Sequence, residues 1–234
     1  MNSANDPKVI VALDYASETD ALNLVEQLDP SMCKLKIGKE LFTAAGPALV
    51  KKVVDRGYQV FLDLKFHDIP NTVASACAVA AGLGVWMMNV HASGGRKMME
   101  TAGNRLAQLS QRPLLIGVTI LTSLSDDEIR EIGYSGSTEK NVLNLAQLAA
   151  DSGLDGVVCS PLEATAVRQA TNDSFVLVTP GVRPAFAATD DQKRIMTPAD
   201  ALGAGANYLV VGRPITAAPS PIDNLQRILD EIPS

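Results

Sequence analysis

Eight short apolar segments, each with strand character, alternate with longer amphipathic ones along the whole chain. They are KVIVALD (8–14), CKLKIG (33–38), QVFLDLK (59–65), WMMNVHA (86–92), PLLIGVTIL (113–121), DGVVCS (155–160), FVLVTPG (175–181) and YLVVGRP (208–214). The intervening segments carry helix signals. SETDALNLVEQL opens on a Ser17 cap with acids in its first turn. GPALVKKVVDRG closes on Gly57, placed as a C′ residue. TPADALGAG offers Thr197 as cap and Pro198 at the first helical position. Strand–helix alternation implies parallel strands joined by right-handed crossovers. Eight such units in 234 residues are the count for an α/β, single-domain (β/α)8 TIM barrel. A doubly wound open sheet is the competing arrangement. No linker, fixed repeat or low-complexity segment divides the chain, so residues 1–234 read as one domain.

Composition agrees with many helix–strand contacts. Hydrophobic residues make up 47% but aromatics only 4%, so the core must be built from Ala, Val, Leu and Ile. The net charge of −6 argues against a nucleic-acid-binding surface, which needs basic patches. An anionic ligand must therefore be held by a local basic cluster. Cys33, Cys77 and Cys159 are scattered, with no C-x-x-C, and read as buried thiols of a reducing compartment. The polar start MNSANDPK has no signal-peptide pattern. No apolar run reaches the roughly 18 residues of a membrane span. The expected setting is the cytoplasm, with no membrane partner.

Two regions break the strand–helix rhythm. SLSDDEIREIGYSGST (123–138) predicts a short extra helix and a turn after the fifth strand. RPAFAATDDQKR (183–194) follows the seventh strand, and a loop of that length in a compact barrel is more often functional than idle.

Alternation assigns the faces of each strand. Val60, Leu62 and Leu64 point outward in the third strand; Phe61, Asp63 and Lys65 face the axis. Val9, Val11 and Leu13 point outward in the first, which ends inward on Asp14. Lys36 faces inward between Leu35 and Ile37, and Met87, Asn89 and His91 share a face of the fourth strand. Asp14, Lys36, Asp63, Lys65 and His91 are thus directed toward one mouth, at the strand C-termini where barrel sites lie. A lone Asp–Lys pair is most often a salt bridge, and a single inward His is most often a hydrogen-bonded core residue. Convergence from neighbouring strands is what points to a site, because packing gives no reason for it. Asp68 lies beyond the strand; from the residues alone it reads equally as a helix N-cap or a site group. Across the mouth, TPGVRP (179–184) and VGRP (211–214) offer Gly181 and Gly212 for close backbone approach to an anion. Arg183 and Arg213 add forked donors, with Lys193 and Arg194 closing over them.

With those residues in place, the sequence resembles the bacterial orotidine 5′-monophosphate decarboxylases along nearly its whole length. The resemblance is carried by VALD (11–14), LKIGKELF (35–42), FLDLKFHDIPNT (61–72), VHASGG (90–95), LTS (121–123), DGVVCS (155–160), TPGVRP (179–184), DQKRIMTP (191–198) and VGRP (211–214). FLDLKFHDIPNT, with its D-x-K-x-x-D core, is the most specific of these. The resemblance implies a homodimeric (β/α)8 enzyme that makes UMP without metal or cofactor. It implies an alternating Lys36–Asp63–Lys65–Asp68 array in which Lys65 is the proton donor. Asp68, Ile69 and Thr72 would reach into the partner subunit's site. Asp14 and Lys36 would contact the ribose and Thr122 the pyrimidine. Gln192 would bridge base and phosphate, and Arg183, Gly212 and Arg213 would bind the phosphate.

Two alternatives stand beside this reading. Sugar-phosphate enzymes of the same barrel, such as 3-keto-gulonate 6-phosphate decarboxylase and hexulose phosphate synthase, share D-x-K-x-x-D and use Mg²⁺. Their family pattern has a carboxylate where this chain has Lys36, and an ammonium cannot ligate Mg²⁺. A non-catalytic nucleotide-binding barrel would use the phosphate site alone and would not need the charged array.

Overall fold

A computed structural model describes residues 6–186 and 196–232. All eight predicted strands form: β1 Val9–Leu13, β2 Lys34–Gly38, β3 Val60–Phe66, β4 Met87–His91, β5 Leu114–Val118, β6 Gly156–Val158, β7 Val176–Pro180 and β8 Tyr208–Val211. They pair in parallel and in sequence order, and β1 closes on β8 through Val9↔Leu209 and Val11↔Val211. The open-sheet alternative is excluded by this closure. The described helices are α1 Glu18–Val25, α2 Lys39–Val54, α3 Pro70–Ala81, α4 Arg96–Leu106, α5 Asp126–Glu131, α6 Thr138–Asp151, α7 Ala164–Ala170, α8 Pro198–Gly203, α9 Arg213–Thr216 and α10 Pro221–Asp230.

Local signals act where the sequence places them. Ser17 Oγ accepts from Asp20 N–H at the start of α1, and Thr197 Oγ1 from Asp200 N–H at the start of α8. The extra helix after β5 is α5, opened by a capping box between Ser125 and Glu128. One helix differs from expectation: α2 begins at Lys39, a full two turns before GPALV. Gly46 interrupts it at φ 68°, a conformation open to glycine, and Pro47 restarts it with its fixed φ. Its C-cap is Asp55, so Gly57 stands one residue beyond the expected C′ position.

Two apolar layers hold the barrel. Outward residues of β1 to β3, including Val9, Val11, Leu35, Ile37, Val60 and Leu62, pack under the helices in one large buried cluster. Ile10, Phe61, Met87, Ile116 and Val178 fill the axis in a second cluster. The assignments made from alternation hold for Val9, Val11, Leu35, Ile37, Val60, Leu62 and Phe61. Below the axial layer, Lys34 is fully buried at the start of β2. Its ammonium bonds to Asp6 at 2.8 Å and to Gln59, and lies 4.7 Å from the Trp86 ring centroid and 5.3 Å from that of Tyr208. This paired cation closes the N-terminal end, a use of polar residues that the sequence reading did not anticipate.

Candidate active site

Above the axial layer the barrel opens into a cavity of about 390 Å³. Asp14, Lys36, Asp63 and Lys65 line it from β1 to β3, Thr122 and Arg183 from beyond the ends of β5 and β7, and Gly212 and Arg213 from beyond β8, with Gly212 beside Asp14. Between them the wall is apolar, formed by Ile120, Val158, Pro180 and Val182. These wall residues come from the ends of β5, β6 and β7; Pro180 and Val182 fall within TPGVRP, whereas Ile120 and Val158 read as ordinary strand positions.

The charges form a continuous run. Lys36 Nζ lies 3.1 Å from Asp14 Oδ1 and 3.5 Å from Asp63 Oδ2, and Lys65 Nζ lies 2.6 Å from Asp63 Oδ1. Within one chain the array is therefore Asp14–Lys36–Asp63–Lys65. Asp63 is 9% exposed. Burial alone pushes its carboxyl up, yet the charges of Lys36 and Lys65 and hydrogen bonds from Lys65 and Asn89 outweigh that and hold it below its ordinary value. Asp63 is an anion held between two cations.

Lys65 is reached by an irregular route. β3 pairs with β4 at Leu62↔Met88 and next at Phe66↔Val90, so Asp63, Leu64 and Lys65 bulge opposite Asn89 alone. Lys65 has φ 53°, the only positive φ of a non-glycine residue among the described residues. Such a conformation costs on the order of 1–3 kcal/mol and is found where the surroundings over-determine it. Asn89 supplies that constraint. Its Oδ1 accepts from Lys65 N–H at 2.8 Å, and its Nδ2 donates to Asp63 Oδ1 at 2.7 Å. A polar Asn at an inward position of MMNVH was the available signal.

Two expectations change, for Asp68 as a helix cap and for His91 at the mouth. Asp68 is not the N-cap of α3; Ile69 holds that position, and Asp68 Oδ1 accepts from Ile69 N–H at 2.6 Å. Asp68, Ile69 and Thr72 are exposed and lie outside the lining of the cavity, Ile69 at 68% exposure. His91 does not join the mouth either. Its ring packs 5.5 Å from that of His67, and burial, then the charges of His67, Lys39 and Lys65, push its imidazole down to about 4. It is a neutral partner outside the array.

On the opposite side, Gly181 takes φ 80° in the turn after β7, which a side chain would strain. Arg183 N–H donates to Met196 O at 3.0 Å, so the two ends of the β7–α8 connection are tied together. Phe186 stacks under Arg227 of α10, with the guanidinium carbon 3.7 Å from the ring centroid. Gln192, Lys193 and Arg194 lie outside the described residues.

A closed parallel barrel with a chain of alternating charges at the C-terminal ends of its first three strands is a barrel of enzyme type. The chain belongs to the Orotidine 5′-phosphate decarboxylase / HUMPS family, whose model matches residues 7–228. It is 59% identical over 228 residues to an orotidine 5′-phosphate decarboxylase of Hahella chejuensis, covering 97% of this chain and 98% of that one. A second such decarboxylase, from Nitrosococcus oceani, is 57% identical over 225 residues, covering 96% and 97%. The crystal structure of orotidine 5′-phosphate decarboxylase from Lactobacillus acidophilus superposes with a TM-score of 0.88 at 40% identity, covering 98% of this chain and all 100% of that one.

Proposed function

We propose that the protein decarboxylates orotidine 5′-monophosphate to UMP, the last step of de novo pyrimidine nucleotide synthesis. The observation that carries this reading is the Asp14–Lys36–Asp63–Lys65 run beside an apolar wall, with Arg183 and Arg213 lining the same cavity. That layout suits a ligand with a sugar, a flat base and a terminal anion.

The chemistry explains the charges. When the bond from C6 to the carboxylate breaks, CO₂ leaves and the electron pair stays on C6 in the plane of the ring. The ring π system cannot accept it. An ammonium held at C6 stabilises the pair electrostatically and then delivers a proton, after which solvent re-protonates the amine. In this reading Lys65 is that ammonium. Asp63, 2.6 Å away, tethers that ammonium through an ion pair. Asp63 would also face the substrate carboxylate; two like charges about 4 Å apart repel by roughly 4 kcal/mol at an effective dielectric near 20. Lys36 and Asp14 would hold the ribose and Thr122 the pyrimidine. Arg183, Gly212 and Arg213 would hold the phosphate, with Gln192 bridging it to the base.

The reading includes a homodimer in which Asp68, Ile69 and Thr72 complete the partner's site. Its support is their exposure beside the mouth, above all that of the Ile69 side chain, 68% exposed. The whole chain acts as a single catalytic domain, with 183–194 closing over the phosphate. No helix of the described residues is long and apolar enough to cross a membrane, which suits a cytoplasmic setting.

The Mg²⁺-dependent alternative is disfavoured by the donor set. The Lys36 ammonium stands between the carboxylates of Asp14 and Asp63, where a metal ion would need oxygen ligands. Among the described residues, no three His, Cys, Asp or Glu side chains gather as a metal site.

The test is UMP formation from orotidine 5′-monophosphate by wild type, with and without exhaustive chelation, and by Lys65→Ala. The wild type is expected to turn over equally in both conditions. Lys65→Ala is expected to lose on the order of 10⁴-fold in kcat, since both charge stabilisation and proton delivery vanish. Activity that disappears with chelation, or survives in Lys65→Ala, would sink the proposal.

A further inference from the structure

The Lys65 ammonium sits at the end of a flexible four-carbon stem. Its position is set by where the backbone launches the stem and by what tethers the tip. The launch point is the β3 bulge, where Lys65 has φ 53° and its N–H donates to Asn89 Oδ1 at 2.8 Å. The tether is Asp63 Oδ1, 2.6 Å from Lys65 Nζ and 2.7 Å from Asn89 Nδ2. One side chain therefore fixes both ends.

We infer that Asn89 is a positioning residue for the proposed decarboxylation, holding the Lys65 ammonium in place through the Lys65 backbone and the Asp63 carboxylate. The inference rests on the decarboxylase reading above. Asn89 is fully buried and is not part of the cavity lining, so it acts through its two neighbours and not on substrate.

The partners dictate the orientation of the amide. A backbone N–H can only donate, so the atom facing it is the oxygen; an ionised carboxylate can only accept, so the atom facing it is the nitrogen. Among the uncharged side chains of this length, only a primary amide provides both functions at once. Aspartate would keep the acceptor for Lys65 N–H but set a second carboxylate against Asp63. Leucine would remove both bonds while keeping the same branched heavy-atom outline. Either change lets the Lys65 backbone leave its positive φ or frees Asp63 to rotate. Displacing a reacting group by about 1 Å is worth roughly a hundredfold in rate.

The experiment compares wild type, Asn89→Leu and Asn89→Asp for kcat, KM and UMP affinity by calorimetry, with circular dichroism as the check on folding. In both variants kcat is expected to fall about a hundredfold while KM and the Kd for UMP stay within about threefold, because the lost interaction acts only on the reacting centre. A folded variant with kcat near that of wild type overturns the inference. So does a loss that appears in KM with kcat intact. If Asn89→Leu does not fold, Asn89→Asp decides on the same criteria; if neither folds, the role of Asn89 is structural and the inference is wrong. A wild type that makes no UMP fails the decarboxylase reading itself and takes this inference with it. An active wild type matched by an equally active variant removes the inference alone.

Discussion

The Asp63 carboxylate lies 2.6 Å from the Lys65 ammonium, two positions along the same strand, and remains ionised although it is almost wholly buried. Lys36 approaches its other oxygen at 3.5 Å. Asp63→Asn would leave two ammonium groups facing a neutral amide. Breaking a buried pair from one side in this way is expected to destabilise the fold by about 3 kcal/mol. The pH dependence has a definite sign. Asp63 binds fewer protons in the folded state than in the unfolded chain, whose ordinary value is 3.8. Its contribution is therefore complete above that value and is lost as pH falls through the lower folded value. Urea unfolding of wild type and Asp63→Asn should show a constant stability gap near neutral pH that narrows below about pH 3.8. A gap independent of pH would contradict this.

Arg213 lines the same cavity as Lys65; in the proposed reading it would hold the phosphate, away from the bond that breaks. Binding energy collected there is expected to assemble the charged site as well as to retain the ligand. Arg213→Ala should lower kcat and raise KM together, by a combined factor of roughly 10² or more in kcat/KM, as for loss of a charge-assisted bidentate contact. Steady-state kinetics with a raised KM and unchanged kcat would refute this.

Mixing subunits tests the proposed exchange across the dimer. Lys65→Ala and Asp68→Ala chains, each inactive alone, would form hybrid dimers in which one site holds both lesions and the other neither. Random reassembly should restore up to about a quarter of wild-type activity if Asp68 serves the partner's site. No recovery, with hybrids demonstrated by native mass spectrometry, would place Asp68 in its own chain's site or in none.

At the other end of the barrel, Asp6→Ala would leave the buried Lys34 ammonium with Gln59 and the faces of Trp86 and Tyr208. Because Asp6 itself is partly solvated, the expected loss is about 1–3 kcal/mol of stability, with kcat unchanged. Thermal unfolding and turnover measured on the same preparation check both halves of that statement.

The barrel was legible because eight strands with consistent alternation leave few topologies. The same alternation placed Phe61 on the axis and Asp14, Lys36, Asp63 and Lys65 at the mouth. What it missed depends on neighbours in space. The β3 bulge is a matter of register against β4, and a strand's own sequence does not state where its partner pairs. The Asn89 clamp follows from that register, and only the inward parity of a polar residue pointed to it. Asp68 sits one residue before the cap of α3, within the margin by which helix starts are uncertain from sequence. His91 has the right parity, but its ring packs against that of the only other histidine, His67, just beyond the end of β3.

The fully buried layer of Ile10, Phe61, Met87, Ile116 and Val178, underlain by Lys34 between its aromatic rings, makes the cavity a blind well. A molecule that reaches the axial layer can leave only through the mouth at the C-terminal ends of the strands. Arrival and departure thus share one doorway. Turnover is a queue through a single opening, so a bound product bars the next substrate until it has gone.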